Sequence, residues 1–212
     1  MAQVFIANPK GGCGKTTIAV QIAAYYAGLH QPVMLVDHDP QKSSADWLRE
    51  RPKSRPEILF SSATVGETVA VNGARCVVHD MPAAWSLAQA DGLIQRCDKV
   101  IIPVLPSPND IRACLHFVMG LYRSGFLGSG VDVGLVANRV RGNTRYFSVL
   151  EEFLQKLRLP LIGVLRDTQN YVNAMDGGLS IFELPASKVK IDLAQWEPVL
   201  AWLETSPSPA FE

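Results

Sequence analysis

A glycine-rich turn near the start of this chain constrains the fold more than any other segment. Val4-Phe5-Ile6-Ala7 is apolar and leads into Lys10-Gly11-Gly12-Cys13-Gly14-Lys15-Thr16-Thr17, and residues 18–28 then have the composition of a helix. Glycines carry no Cβ, so successive backbone N–H groups can converge on one anion. The free N–H groups and the dipole of the new helix add positive potential. Lys15 supplies a charge for terminal phosphates, and Thr16 a hydroxyl for a magnesium ion. Strand, turn and helix in this order form the setting of a phosphate-binding loop, and an ordinary Gly/Lys-rich surface turn explains the pattern poorly. The common form, G-x-x-x-x-G-K-[ST], would need glycine at position 9. This chain has Pro9 there, and a second lysine, Lys10, at the front of the loop.

The rest of the chain repeats a strand–helix rhythm. Short β-branched runs predict strands at 4–8, 33–37, 75–79, 100–104, 131–137 and 161–165. Several are apolar throughout, as expected of a parallel sheet covered on both faces. Helices are expected at 15–28, 43–50, 84–96, 110–124, 144–157, 171–176 and 192–204. The alternation predicts an α/β fold, a doubly wound, mostly parallel sheet flanked by helices. Right-handed crossovers then place the strand C-termini along one edge. Residues 58–74 are less legible, with room for one short strand and one short helix. The charged connector 51–56 reads as an exposed loop.

At 212 residues and 48% apolar content, one domain over residues 1–204 is expected, with a disordered tail at 205–212. Twenty basic and twenty acidic residues cancel, so any nucleic-acid surface must come from uneven placement. No run approaches the ~20 apolar residues of a membrane span, and no signal peptide precedes the loop. Four scattered cysteines, Cys13, Cys76, Cys97 and Cys114, form no C-x-x-C pair. Neither a zinc site nor a disulfide framework is expected, and a cytoplasmic location is.

Two further strand ends carry carboxylates. The second strand runs into Asp37-His38-Asp39-Pro40-Gln41, and the third into Asp80-Met81-Pro82. An aspartate at such an end can hold metal-bound water beside a triphosphate, and a second can orient an attacking water. His38 alternates away from its neighbours and reads as structural. Cys13 sits beside a helix N-terminus, where a thiol can become reactive, but the position mainly needs a small side chain.

These motifs together resemble the ParA/MinD family of deviant Walker ATPases over nearly the whole length. K-G-G-x-G-K-T-T is matched by residues 10–17, D-x-D-P-Q by 37–41, and the aspartate–proline switch by 80–82, although Ala83 stands where the family often has a second proline. The segment 103–108 is also similar to the loop after the family's fourth strand. The resemblance implies ATP and Mg2+ as ligands, cradled by Gly11, Gly12, Cys13 and Gly14. It implies that Lys10 reaches across a nucleotide-sandwich homodimer to the partner's phosphates. Lys15 would bind the β- and γ-phosphates, Thr16 the magnesium, and Thr17 would lie near the α-phosphate. Asp39 would position the hydrolytic water, with Asp37 and Asp80 supporting metal and water. Asn138, after the strand at 131–137, falls where such proteins recognise adenine.

The resemblance also implies a slow ATPase stimulated by a partner, non-specific DNA binding by the ATP dimer, a nucleoid-associated location and the positioning of a cargo such as a plasmid or carboxysome. The partner would be a small, basic-tailed adaptor. No helix-turn-helix precedes the loop. The C-terminal segment is acidic, is interrupted by Pro198, and lacks the basic amphipathic pattern of a membrane anchor. Basic residues over 138–166, with Arg141 and Arg145 foremost, and then Lys188 and Lys190, are candidates for tracking DNA phosphates. Arg166, at a strand end, has the alternative of facing the nucleotide. A metabolic P-loop enzyme and a nucleotide-gated scaffold with negligible turnover remain as rivals, although no second constellation marks a substrate pocket.

Overall fold

The computed structural model describes residues 2–71, 73–83, 85, 97–127, 130–142, 145–156 and 159–206. Its strands are β1 (Ala2–Ile6), β2 (Val33–Asp37), β3 (Leu59–Ser62), β4 (Cys76–Asp80), β5 (Lys99–Val104), β6 (Asp132–Val140) and β7 (Leu161–Arg166). Its α-helices are α1 (Lys15–Gly28), α2 (Ser43–Glu50), α3 (Pro108–Arg123), α4 (Arg145–Lys156), α5 (Gln169–Asp176) and α6 (Ala186–Leu203), with a 3-10 turn at Ile181–Glu183. The expected helix at 84–96 falls outside the described residues apart from Trp85.

The seven strands form one sheet in the order β3-β2-β4-β1-β5-β6-β7, every pair parallel. Strands β2, β4 and β5 are buried at every position, the pattern of a sheet with both faces covered. The period of two decides which core each side chain joins. Val4 and Ile6 enter the cluster under α1 and α6, while Phe5 and Ala7 enter the cluster under α3 and α4. Small residues of α1, Ala19, Ala23 and Ala27, bring that helix close to the sheet. At Gly163 in β7 a Cβ would fall on Val199, so glycine there sets how near α6 can pack. Trp196 of α6 is fully buried, and its indole N–H donates to the Tyr171 hydroxyl at 2.9 Å.

Chain order places the topological switch at β1, flanked by β4 and β5. The register aligns Ile6 and Asp37 with Asp80. The loops after β1, β2 and β4 therefore leave the sheet side by side, and a crevice opens outside them.

Several expectations are corrected. Among the described residues, 58–74 holds the edge strand β3 but no helix. The C-terminal helix starts at Ala186 rather than 192 and runs unbroken through Pro198, which forfeits one backbone hydrogen bond but leaves the packing of Trp196 and Val199 intact. The connector 51–56 is not wholly exposed. The Arg51 side chain is only 5% exposed and forms a fork with both oxygens of Glu183, at 2.8 and 3.0 Å. At the end of the described residues the Thr205 hydroxyl accepts from the buried Lys99 amine at 2.9 Å. Positions 207–212 lie outside the described residues.

Candidate nucleotide site

The phosphate loop is held at its entrance by Asn8. This buried side chain donates to the Pro103 carbonyl at 2.7 Å and accepts from the Lys10 N–H at 2.9 Å. Gly12 and Gly14 take φ of 77° and 95°, the left-handed region that disfavours other residues. A Cβ at Gly14 would also land on the Asn138 amide. Lys15, at the first turn of α1, is buried, and its amine donates to the Lys10 carbonyl at 3.1 Å. The Cys13 thiol donates to the same carbonyl at 3.2 Å. Burial pushes that thiol up in pKa, against the opposing pull of Lys15, which disfavours a reactive thiolate.

The three expected aspartates line up beside this loop and are used differently. Asp37 is buried and accepts from the N–H groups of Asp39 at 2.9 Å and Ala45 at 3.2 Å, which shapes the turn into α2. Burial raises its pKa. Asp39 lines the open cleft and accepts from the Gln41 N–H at 2.9 Å. Asp80 is 1% exposed, and its Oδ2 accepts from the Ser44 hydroxyl at 2.5 Å. Burial pushes its pKa up to about 6, against the Ser44 and Thr16 hydroxyls. Its Oδ1 is buried without a partner. An orphaned carboxylate oxygen beside the Thr16 hydroxyl is a fitting acceptor for magnesium-bound water. Among the described residues no group of three or more His, Cys, Asp and Glu can cage a metal alone. Oxygen donors of this kind, aspartate carboxylates and a threonine hydroxyl, suit a hard cation.

Beneath the carboxylates, His38 and His79 bridge β2 and β4 at 2.9 Å, and His79 stacks on Phe5 and reaches Gln3 at 3.1 Å. Burial holds His79 down to about 3, which favours its neutral form, and lowers the pKa of the buried His38 as well.

The cleft has a volume of about 1020 Å³. One wall is the loop with Thr16, Thr17 and Asp39. The other comes from the ends of β6 and β7 and from α5, including Asn138, Arg141, Arg166 and Tyr171. Asn138 is buried, donates to the Cys13 carbonyl at 2.8 Å and accepts from the Arg139 N–H at 3.0 Å. Arg141, expected at a DNA surface, stands at the cleft rim with its side chain 79% exposed, and pairs with Asp167 at 2.7 Å. Arg139 pairs with the same carboxylate at 3.3 Å. Arg166 lines the cleft and is anchored on the fully buried Asp192. Arg145 opens α4, and its side chain lies outside the described residues. Asn8, Ser44 and Asp167 were not anticipated from the sequence. Ser44 carried a weak signal, as a hydroxyl in the first turn after the D-x-D-P-Q run.

Fold and loop together define an α/β nucleotide-binding protein of the P-loop type. Residues 4–181 match the CobQ/CobB/MinD/ParA nucleotide binding domain, and the chain belongs to that family. Among named relatives, it is 32% identical over 190 residues to the Maintenance of carboxysome distribution protein A of Halothiobacillus neapolitanus, covering 85% of this chain and 87% of the relative. It is 36% identical over 147 residues to the protein of the same name from Gloeobacter kilaueensis, covering 65% and 62%. The solved apo structure of Cyanothece McdA superposes with a TM-score of 0.74 at 15% identity, covering 94% of this chain and 99% of that one. The ATP complex of a McdA variant from Cyanothece superposes at 0.70, with 16% identity and coverage of 94% and 96%. No helix among the described residues is long and apolar enough to cross a membrane.

Proposed function

We propose that this chain is a ParA-type ATPase that closes into an ATP-sandwich homodimer, binds nucleoid DNA without sequence preference and positions a cargo. The named relatives favour carboxysomes as that cargo over plasmids. The observation that carries the proposal is the convergence at one sheet edge of Lys10, Lys15 and Thr16 with Asp37, Asp39 and Asp80. ATP is the nucleotide favoured by the complex known for the McdA relative.

In this reading the glycine turn and the start of α1 bind the polyphosphate through backbone N–H groups. Lys15 leaves the Lys10 carbonyl to meet the terminal phosphates, and Thr17 lies near the α-phosphate. Thr16, Asp80 and Asp37 would hold Mg2+, and the ion would supply neutralising charge on the phosphate oxygens. Asp39, on the open side, orients the attacking water. The exposed Lys10 of each copy reaches the terminal phosphate bound by the other. The dimer is thereby favoured by ATP and released after hydrolysis. A small, basic-tailed adaptor accelerates that step. The location is cytoplasmic and nucleoid-associated, and Arg141 and Arg145 contribute to DNA binding.

Asp39→Ala tests the assignment. The variant is expected to retain ATP with near-normal affinity while turnover falls at least ~10-fold, as removal of a water-positioning group does. Undiminished turnover refutes the role of Asp39.

A further inference from the structure

We propose that Ser44 is a positioning residue for the magnesium-dependent part of nucleotide binding, and that it acts through the Asp80 carboxylate. The inference rests on the reading of the cleft as a site for ATP with Mg2+. It starts from a contrast between two aspartates that the register sets side by side, Asp37 at the end of β2 and Asp80 at the end of β4. Asp37 accepts from two backbone N–H groups, so the turn it caps fixes its carboxylate. Asp80 is held by side-chain hydroxyls instead. Ser44 donates to its Oδ2 at 2.5 Å, and Thr16 lies beside it.

A carboxylate turns about its last side-chain bond with only a broad, two-fold preference. One strong contact therefore decides which oxygen is left over. Here the hydroxyl takes Oδ2, and Oδ1 is the oxygen buried without a partner. Toward an ionised carboxylate the hydroxyl can only donate, and bonds of that kind exceed neutral ones in strength. Ser44 is fully buried, so water does not compete for the contact. The side chain thus fixes the carboxylate plane and reserves Oδ1 for a cation or its water.

The same hydroxyl joins two loops. The Asp39 carbonyl accepts from the Lys42 N–H at 2.9 Å, and the Asp39 side chain accepts from the Gln41 N–H at 2.9 Å. This closed turn leads directly into α2, whose second residue is Ser44. Its bond to Asp80 therefore ties the segment that carries Asp39 to the end of β4. The spacing between the carboxylate assigned to water and the carboxylate assigned to the metal depends on that one hydroxyl.

The test measures binding of a fluorescent, non-hydrolysable ATP analogue to the full chain, in EDTA and in excess Mg2+. Wild type is compared with Ser44→Ala, Asp80→Asn and the double variant. Ser44→Cys, close in size and a weaker donor, is the second variant, and melting curves identify the folded one to be used. In EDTA the Ser44 variant is expected to bind within about twofold of wild type, while the gain in affinity conferred by Mg2+ falls about tenfold, as loss of a group that orients a metal ligand does. In the Asp80→Asn background the same change should cost less than about twofold more, because the two residues act as one unit. An equal loss in EDTA and in Mg2+ overturns the proposal and makes Ser44 a packing residue. An undiminished Mg2+ gain overturns it, and so does a full further loss in the Asp80→Asn background. Failure of the wild-type chain to bind the analogue, or to gain affinity from Mg2+, would instead remove the underlying site reading and the proposal with it.

Discussion

Asp80 bears the cost of the site. A carboxylate that is 1% exposed, with one oxygen unpartnered, is expensive to ionise, and its pKa rises from the ordinary 3.8 to about 6. The folded state therefore binds this proton more tightly than the unfolded chain does. The resulting stability is fully present below pH ~4 and is lost as the pH rises through about 6. Metal-free Asp80→Asn should melt higher than wild type at pH 8, by on the order of 5 °C, with the gap closing toward pH 4. A gap independent of pH would contradict this account. Turnover in the same variant should fall, the exchange of stability for function that strained sites show. At Cys13 the same burial acts on a thiol. Iodoacetamide at pH 8 should leave Cys13 unmodified in the native chain, and mass spectrometry of its peptide checks this.

Among the elements, α2 matters most for the carboxylates, because it follows Asp39 directly and presents Ser44 to Asp80. It is tied down at its far end. Trp47 donates to the Leu179 carbonyl at 3.1 Å, and Arg51 forks onto Glu183 and also meets the Gly178 carbonyl. Arg51→Ala would leave Glu183 as a buried charge without its main partner. A loss of about 3–5 kcal/mol is expected in chemical denaturation, with Glu183→Gln milder. The borders of α1, β2 and α2 were legible in the sequence because turn chemistry and apolar runs end together there. The first turns of α6 were not, since Val189 alone among the early residues is buried and no apolar stripe forms. Edge strand β3 gave a weak signal for the same reason, being half-buried at best. At the site, the loop, Asp37 and Asp80 could be read because each lies at the end of an apolar strand, and Asp39 because it follows in the same D-x-D-P-Q run. Asn8 and Ser44 could not, because their partners lie 95 and 36 residues away along the chain. The contact of Asn138 with the Cys13 carbonyl also lies beside a bulge that no local pattern announces.

At the scale of the molecule, the charge balance is neutral, so the proposed DNA binding depends on where the arginines stand. Arg141 is the most exposed of those paired at the cleft rim, and its tie to Asp167 is a surface ion pair of small worth. If the dimer tracks phosphates, Arg141→Ala should weaken binding to random duplex DNA and lower the log–log salt slope by about 1. An unchanged slope would take Arg141 out of the DNA surface and leave it to the nucleotide cleft. The proposed dimer turns on Lys10, exposed at the mouth of the loop while its carbonyl accepts from Lys15 and Cys13. Sedimentation of the wild-type chain and of Lys10→Ala, each with Mg2+ and a non-hydrolysable ATP analogue, tests that arrangement most directly. The account predicts a nucleotide-dependent dimer for the wild type and a monomer for a variant that still binds the analogue. A variant that dimerises as well as wild type would contradict it.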